Sequence, residues 1–185
     1  TETAEDIIDV VLGELGEIGN TIAKNVKLHI QYPRSVELKC LSKLKGEKSN
    51  NYYNIDVGNL QLNQTRSVAL LTEIFAQPLG QSISFEVHAT WDDINTGERL
   101  ESKVASSSIK VVSLDEADSV KINTKVVQKV ADLWEASLAY EAMMFNEEGH
   151  FDKADNLFEI NKLSYGMIID PLDDKNKRLD RFQSA

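Results

Sequence analysis

Three histidines, one cysteine and a cluster of short carboxylates and amides are the residues of this 185-residue chain that could do chemistry. His29 and His88 fall on the polar parity of alternating segments, and His150 sits in a turn between helical patterns. No pair has a metal-ligand spacing such as HExxH, so three solvated histidines are expected. Cys40 stands alone; it can form neither an intrachain disulfide nor a thiolate zinc site by itself, which fits a reducing, cytoplasmic setting. Asp92, Asp93 and Asn95 offer oxygen ligands of the kind calcium takes, but they lack the EF-hand spacing and its terminal bidentate Glu. With Ile94, Thr96 and Gly97 they read instead as hairpin-turn chemistry. Gly46-Glu47-Lys48-Ser49 approaches a phosphate loop, yet Gly and Lys are not adjacent and the upstream Gly is missing, so no nest of backbone amides is specified. Asn63-Gln64-Thr65 satisfies the glycosylation sequon, a triplet that arises often by chance. No Ser lies in a nucleophile elbow, and the carboxylates are too numerous to pair off by spacing. The residues therefore assign no catalytic group, no cofactor and no metal ligand.

Charge narrows the partners. The formal net charge is -10 with a pI near 4.8, and both parts share it: residues 1–114 carry 15 acidic against 11 basic side chains, residues 115–185 carry 15 against 9. A nucleic-acid backbone or an anionic bilayer is repelled on average. With 42% hydrophobic and 27% charged residues the chain has the composition of a folded protein. No stretch approaches the roughly 18 uninterrupted apolar residues of a membrane span, so no membrane insertion by this segment is expected. The start, Thr1-Glu2-Thr3-Ala4-Glu5-Asp6, has neither the basic nor the apolar region of a signal peptide. Lacking an initiator Met, the chain reads as a piece of a longer polypeptide.

The elements that position these residues change period twice. Ile7, Ile8, Val11, Leu15, Ile18 and Ile22 recur at three- and four-residue steps, predicting an interdomain helix over 1–24 despite Gly13, Gly16 and Gly19. From Val26 the period is two. Val26, Leu28, Ile30 and Tyr32, then Val36, Leu38 and Cys40 after Pro33, predict a hairpin or neighbouring strands. Lys43 to Asn51 reads as a loop, and Tyr53, Ile55 and Val57 as a strand ending at a Gly58-Asn59 turn. Val68 to Phe75 reads as a central strand. Ile83, Phe85, Val87, Ala89 and Trp91 give the cleanest alternation, and a bulge near Ala105–Ser108 reconciles the two parities of the return strand from Arg99 to Val112. About seven strands without intervening helices predict an antiparallel β-sandwich over 25–114. Past Asp115 a helical pattern takes over to 185: Val126, Val127, Val130, Leu133, Trp134, Leu138 and Ala142 on one helix, Leu157, Ile160, Leu163 and Ile168 on the next. Pro171 ends the second, and Asp173 to Ala185 forms a short third helix or a frayed acidic tail. The expected class is thus α+β, a sandwich with an N-terminal helix and a C-terminal helical hairpin. Gly149, Phe151 and Ala154 match the centre of a tetratricopeptide-type turn, but one unit is not an array.

Leu12-Gly13-Glu14-Leu15-Gly16-Glu17-Ile18 with Ala23-Lys24-Asn25-Val26, then Ile55-Asp56-Val57-Gly58-Asn59-Leu60, Gln64-Thr65-Arg66-Ser67-Val68, Asp93-Ile94-Asn95-Thr96-Gly97-Glu98 and the Gly149 to Ala154 turn occur in this order along nearly the whole chain. In that order they resemble the region C-terminal to a von Willebrand factor A (vWA) domain in multidomain proteins. The vWA metal motif Asp-x-Ser-x-Ser is not present here, since Ser106-Ser107-Ser108 has no Asp in place. The resemblance implies a non-catalytic scaffold that braces a vWA domain in cis or presents a surface to a protein partner. Two alternatives stand beside it: a hydrolase using carboxylates of the loops beside Asp56 and Asp92, and a helical module capturing a peptide between 119–147 and 151–169.

Overall fold

The computed structural model describes residues 20–42 and 44–183. Among the described residues eight strands precede four helices: β1 Thr21–Gln31, β2 Val36–Cys40, β3 Gly46–Ser49, β4 Tyr52–Gln61, β5 Leu70–Ile74, β6 Ser82–Asp93, β7 Arg99–Glu101, β8 Ala105–Lys110, then α1 Leu114–Asp118, α2 Thr124–Glu147, α3 Phe151–Ile169 and α4 Lys175–Gln183. This is an α+β chain with antiparallel sheets. It divides into two units. The first holds the described residues of Thr1–Glu37, Leu44–Ser67 and Ile74–Val111; the second holds those of Leu38–Lys43, Val68–Glu73 and Val112–Ala185.

In the first unit the order β3-β4-β1-β6-β7 forms one sheet, and β8 joins the same edge of β6 as β7. Alternation works as expected on β4, where Tyr53, Ile55 and Val57 are buried, and on the start of β6, where Ile83 is buried, so this part of the sheet has a dry face; from Val87 onward both parities of β6 are half-buried. The helix expected over 1–24 lies outside the described residues up to 19, and Thr21–Ala23 belong to β1. Ile22 is exposed while Ala23 and Val26 are buried, because a bulge at Asn25 and Val26 shifts the pairing. Lys24 stands opposite Asp92 and Lys27 opposite Thr90, so two β1 residues face Trp91 alone. Asn25 takes the left-handed conformation with φ 52°.

Three strand expectations are corrected by pairing. β1 and β2 make no hairpin; β1 lies between β4 and β6, while β2 pairs β5 in a separate two-stranded sheet. The Val68 to Phe75 run is therefore not central, and Leu71, Ile74 and Phe75 are exposed. The loop expected at Lys43 to Asn51 contains β3, whose residues are all exposed. An edge strand with no dry face has no apolar alternation to announce it. Gly46 is required there, because a Cβ would lie 2.5 Å from the Tyr53 ring. Gly58, with φ 81°, does not end β4 but kinks it. The bulge in the return strand lies ahead of the Ala105–Ser108 stretch where it is expected, which pairs regularly with β6. Glu101 pairs with Thr90 and Ala105 with Val87, so Ser102–Val104 face only His88 and Ala89.

The second unit has a core of Leu41, Ala69, Ala131, Trp134, Leu138, Tyr165, Ile169, Leu172 and Phe182. Leu41 N–H donates to Ala69 O at 2.9 Å, which ties the two strand segments of this unit together. Asn123 caps α2 through the Val126 N–H at 3.3 Å. At its other end the His150 N–H donates to Phe145 O at 2.7 Å and the Gly149 N–H to Asn146 O at 3.0 Å, a Schellman closure that Gly149 makes possible with φ 77°. The expected third helix exists, and it is no frayed tail. α4 contributes Phe182, stacked on Tyr165 with centroids 4.3 Å apart, and Arg178, only 4% exposed.

Arg178 gathers the three long elements of this unit. Its Nε donates to both oxygens of Asp174 at 3.0 Å, and its Nη1 to Asp132 Oδ1 and Glu135 Oε1 at 2.9 Å each. Tyr165 donates its hydroxyl to Glu135. Burial would lower the guanidinium pKa, but the bonds from Asp132, Tyr165, Asp174 and Glu135 outweigh it and drive it further up. Burial, then the Glu135 bond, holds the Tyr165 phenol well above its usual range. Replacing Arg178 by Met should destabilise this unit by roughly 2–3 kcal/mol, since charged hydrogen bonds are lost and clustered carboxylates are left without their cation. Urea unfolding followed by helical circular dichroism measures this, and an unchanged midpoint would contradict the role assigned to Arg178.

Candidate functional site

Pairing brings the polar parity of four strands into one row on the sheet. His29 stands opposite both Asn54 and His88, so their side chains share a face. His29 Nδ1 lies 2.8 Å from Asn54 Oδ1 and Nε2 lies 2.9 Å from Thr90 Oγ1. Arg99 Nη2 donates to Thr90 Oγ1 at 2.8 Å. One proton per link satisfies the whole series from Arg99 through Thr90 and His29 to Asn54, with the imidazole proton on Nδ1. His88 stacks on His29 at 4.8 Å between centroids and reaches Glu101 Oε1 at 3.3 Å. The two histidines on the polar parity are thus brought together, whereas His150 stands at the N-cap position of α3 without a side-chain capping bond.

The carboxylates of the loops are engaged internally. Asp92 accepts from Asn25 Nδ2 at 2.7 Å and from Arg99 Nη1 at 2.8 Å, which holds its pKa below the usual carboxylate range. Asp93 accepts the N–H groups of Asn95 and Thr96 at 2.9 Å each, and the bonds from Thr96 and then Asn95 lower its pKa too. These bonds close the expected hairpin turn, with Gly97 at φ 71°. Asp56 Oδ1 accepts the Gly58 N–H at 2.9 Å. The cavity beside it, lined by Lys27, Lys45, Glu47 and Asn54, measures 140 Å³, against the roughly 300–1,000 Å³ of small-molecule sites. Among the described residues no three His, Cys, Asp or Glu side chains gather as metal ligands do.

In the second unit, α3 carries two apolar stripes. Phe158, Tyr165 and Ile169 turn inward with Ala154. Ile160, Leu163 and Met167 are 76%, 76% and 66% exposed, and their spacing of three and four residues places them along the opposite side of the helix. Ile160 and Leu163 were expected in the core. The inward face is defined instead by Tyr165, whose ring meets Trp134 and Phe182. Two stripes at helical spacing, Phe158-Tyr165-Ile169 and Ile160-Leu163-Met167, were present in the sequence, and counting both would have shown that one must stay outside. Between α2 and α3 a cavity of 340 Å³ is lined by Trp134, Leu138, Glu141, Leu157 and Asn161, with Cys40 at its margin.

No family model and no curated protein matches the chain. Among solved structures it is similar to a von Willebrand factor type A protein from Catenulispora acidiphila at 14% identity and TM-score 0.49, over 85% of this chain and 43% of that one. It is also similar to the ArnB paralog VWA2 from Sulfolobus acidocaldarius at 15% identity and TM-score 0.40, over 88% of this chain and 38% of that one. A cohesin module of a family 33 glycoside hydrolase from Clostridium perfringens aligns at 13% identity and TM-score 0.34, over 51% of this chain and 76% of that module. The chain spans less than half the length of both von Willebrand factor type A structures.

Because the folded-state pKa values of Asp92 and Asp93 are depressed from 3.8, the stability they contribute is fully present above the unfolded value and disappears as pH falls through the lower folded ones. Carboxyl carbon shifts followed by NMR from neutral to strongly acidic pH should show both groups titrating low. Asn25→Ala should move Asp92 upward and leave Asp93 where it is. Equal movement of both would show that the turn and the bulge are not separate causes.

Proposed function

We propose that this chain is a non-catalytic structural and protein-interaction module that accompanies a vWA domain in a larger protein. The observation that carries the interaction role is the outward stripe of Ile160, Leu163 and Met167 on α3. Three large apolar side chains on the side of a helix away from its own core gain nothing from water, and a partner that covers them recovers the hydrophobic term, roughly 25 cal/mol per Å² of apolar area. Glu159 and Asp170 beside the stripe are paired with Lys162 and Lys175, so the complementary surface is apolar with a rim of mixed charge. The vWA context rests on the order of the sequence segments that resemble the region after such a domain. On this reading the dry face of the six-stranded sheet is the inner layer of a sandwich.

The hydrolase alternative draws on Asp56 and Asp92, whose oxygens already serve the backbone of Gly58 and the Asn25–Arg99 pair. The peptide-capturing alternative is favoured by one observation, the cavity between α2 and α3.

The test uses the full parent polypeptide. Leu163→Glu with Met167→Glu should abolish its association with the protein that co-purifies with it and leave helical circular dichroism and the unfolding midpoint unchanged, because neither side chain packs inside. Undiminished association would remove the stripe from the interaction. Loss of association confined to variants in the α2–α3 cavity, such as Leu157→Glu, would favour peptide capture instead.

A further inference from the structure

We infer that the wedge where β1 and β6 separate is a strand-addition site for an extended peptide bearing a basic side chain, in a different unit from the α3 stripe and independent of it. The two strands stay paired as far as Gln31 and Glu86. Beyond that point Tyr32 gives its N–H to Asn51 O at 2.9 Å, keeping the β4 side, and Pro33 turns the chain away. β6 continues through Ser82–Phe85, where among the described residues only its other edge is occupied, by β8. The wedge left between them is a cavity of 330 Å³ whose lining includes Tyr32, Ser35, Asn51, Ser82, Ser84 and Glu86.

Strand parity decides which backbone groups face it. Gln81 O accepts the Val111 N–H, Ala89 O accepts the Ser102 N–H and the Asp93 N–H donates to Glu98 O, so odd-numbered residues of β6 address the β7 and β8 edge. Even-numbered residues address the other edge. Glu86 finds Gln31 there; Ser84 and Ser82 have no strand opposite among the described residues. Their N–H and C=O groups are spaced as a strand partner requires, two residues or about 6.8 Å apart. Peptides recognised by adding a strand use such main-chain groups for affinity and side-chain pockets for selectivity.

The selectivity element is Asn51. Its Oδ1 is buried and, alone among the buried side-chain polar atoms described, has no hydrogen-bond partner; a donor arriving with the ligand would supply one. Glu86 lies at the same cavity and the chain carries a net charge of -10. By register Glu86 shares a face with Gln31 and Tyr52, whereas Asn51 points to the other. A Lys or Arg on the incoming strand therefore meets Glu86, and its neighbouring residue, turned to the opposite face, offers a donor to Asn51.

The probe is a set of acetylated, amidated hexapeptides alternating Val or Thr with Lys, Ser or Glu, titrated into the ¹⁵N-labelled full chain. Saturable shifts of the Ser82 and Ser84 amides are expected with the Lys peptides, at an affinity about tenfold above the Glu peptides. Asn51→Leu, Ser84→Pro and N-methylation of alternate peptide amides should each weaken binding by about tenfold or more. Ser84→Pro removes an N–H that β8 does not use, and unchanged His29 and His88 resonances would verify that the sheet is intact. The inference fails if no peptide shifts Ser82 or Ser84 saturably, or if Lys peptides bind the Ser84→Pro and Asn51→Leu chains as well as the parent. It also fails if the two amides shift with protein concentration alone, which would seat a second copy in the wedge.

Discussion

The pairing of β6 on both edges is the constraint on which the sheet unit depends. β6 runs without interruption from Ser82 to Asp93, and its neighbours each carry one residue too many: Asn25 and Val26 on one side, Ser102–Val104 on the other. A bulge bends its strand and re-aims the side chains next to it. Asn25 and Arg99 thereby converge on Asp92 from opposite edges. The polar row that ends at His29 and Asn54 is a consequence of two insertions flanking one regular strand. Its groups satisfy one another, which stiffens this face of the sheet.

The helical unit is organised differently, around a cation. Arg178 is almost wholly buried while Asp132 and Asp174 remain half-exposed, so the carboxylates keep part of their hydration and still neutralise the guanidinium. That arrangement lessens the desolvation penalty of a fully buried pair. It also fixes α4 against α2, bringing Phe182 onto Tyr165. With the inward face of α3 occupied by that aromatic cluster, the second stripe of the helix is left exposed.

Much of this was legible in the chain itself, and the failures have physical causes. β6, the Asp92 to Gly97 turn and the Gly149 helix closure depend on local alternation and local hydrogen bonds, and they stand where the residues place them. β1 was shortened because a bulge turns the period of two into a step of three between Ala23 and Val26, which imitates a helix. β3 was missed because both its faces meet water. The hairpin expected for β1 with β2 and the central place expected for β5 fail because pairing acts over long separations, which no local pattern specifies. At the site, the polar parity of His29 and His88 was readable, but their stacking depends on register. On α3 Leu157 and Ile168 pack against the core as their spacing predicts, whereas Ile160 and Leu163 do not, since Tyr165 defines the inward face through its ring contacts and its bond to Glu135.

The outer strands of the six-stranded sheet bear on colloidal behaviour. At one border β3 presents Glu47 and Lys48 on a short, wholly exposed ribbon; at the other, β7 and β8 are broken by their irregular step and β8 is Ser-rich. Charge, brevity and a twisted outline are the features by which natural sheets deter indiscriminate stacking. These two borders are therefore poor templates for adding a further strand.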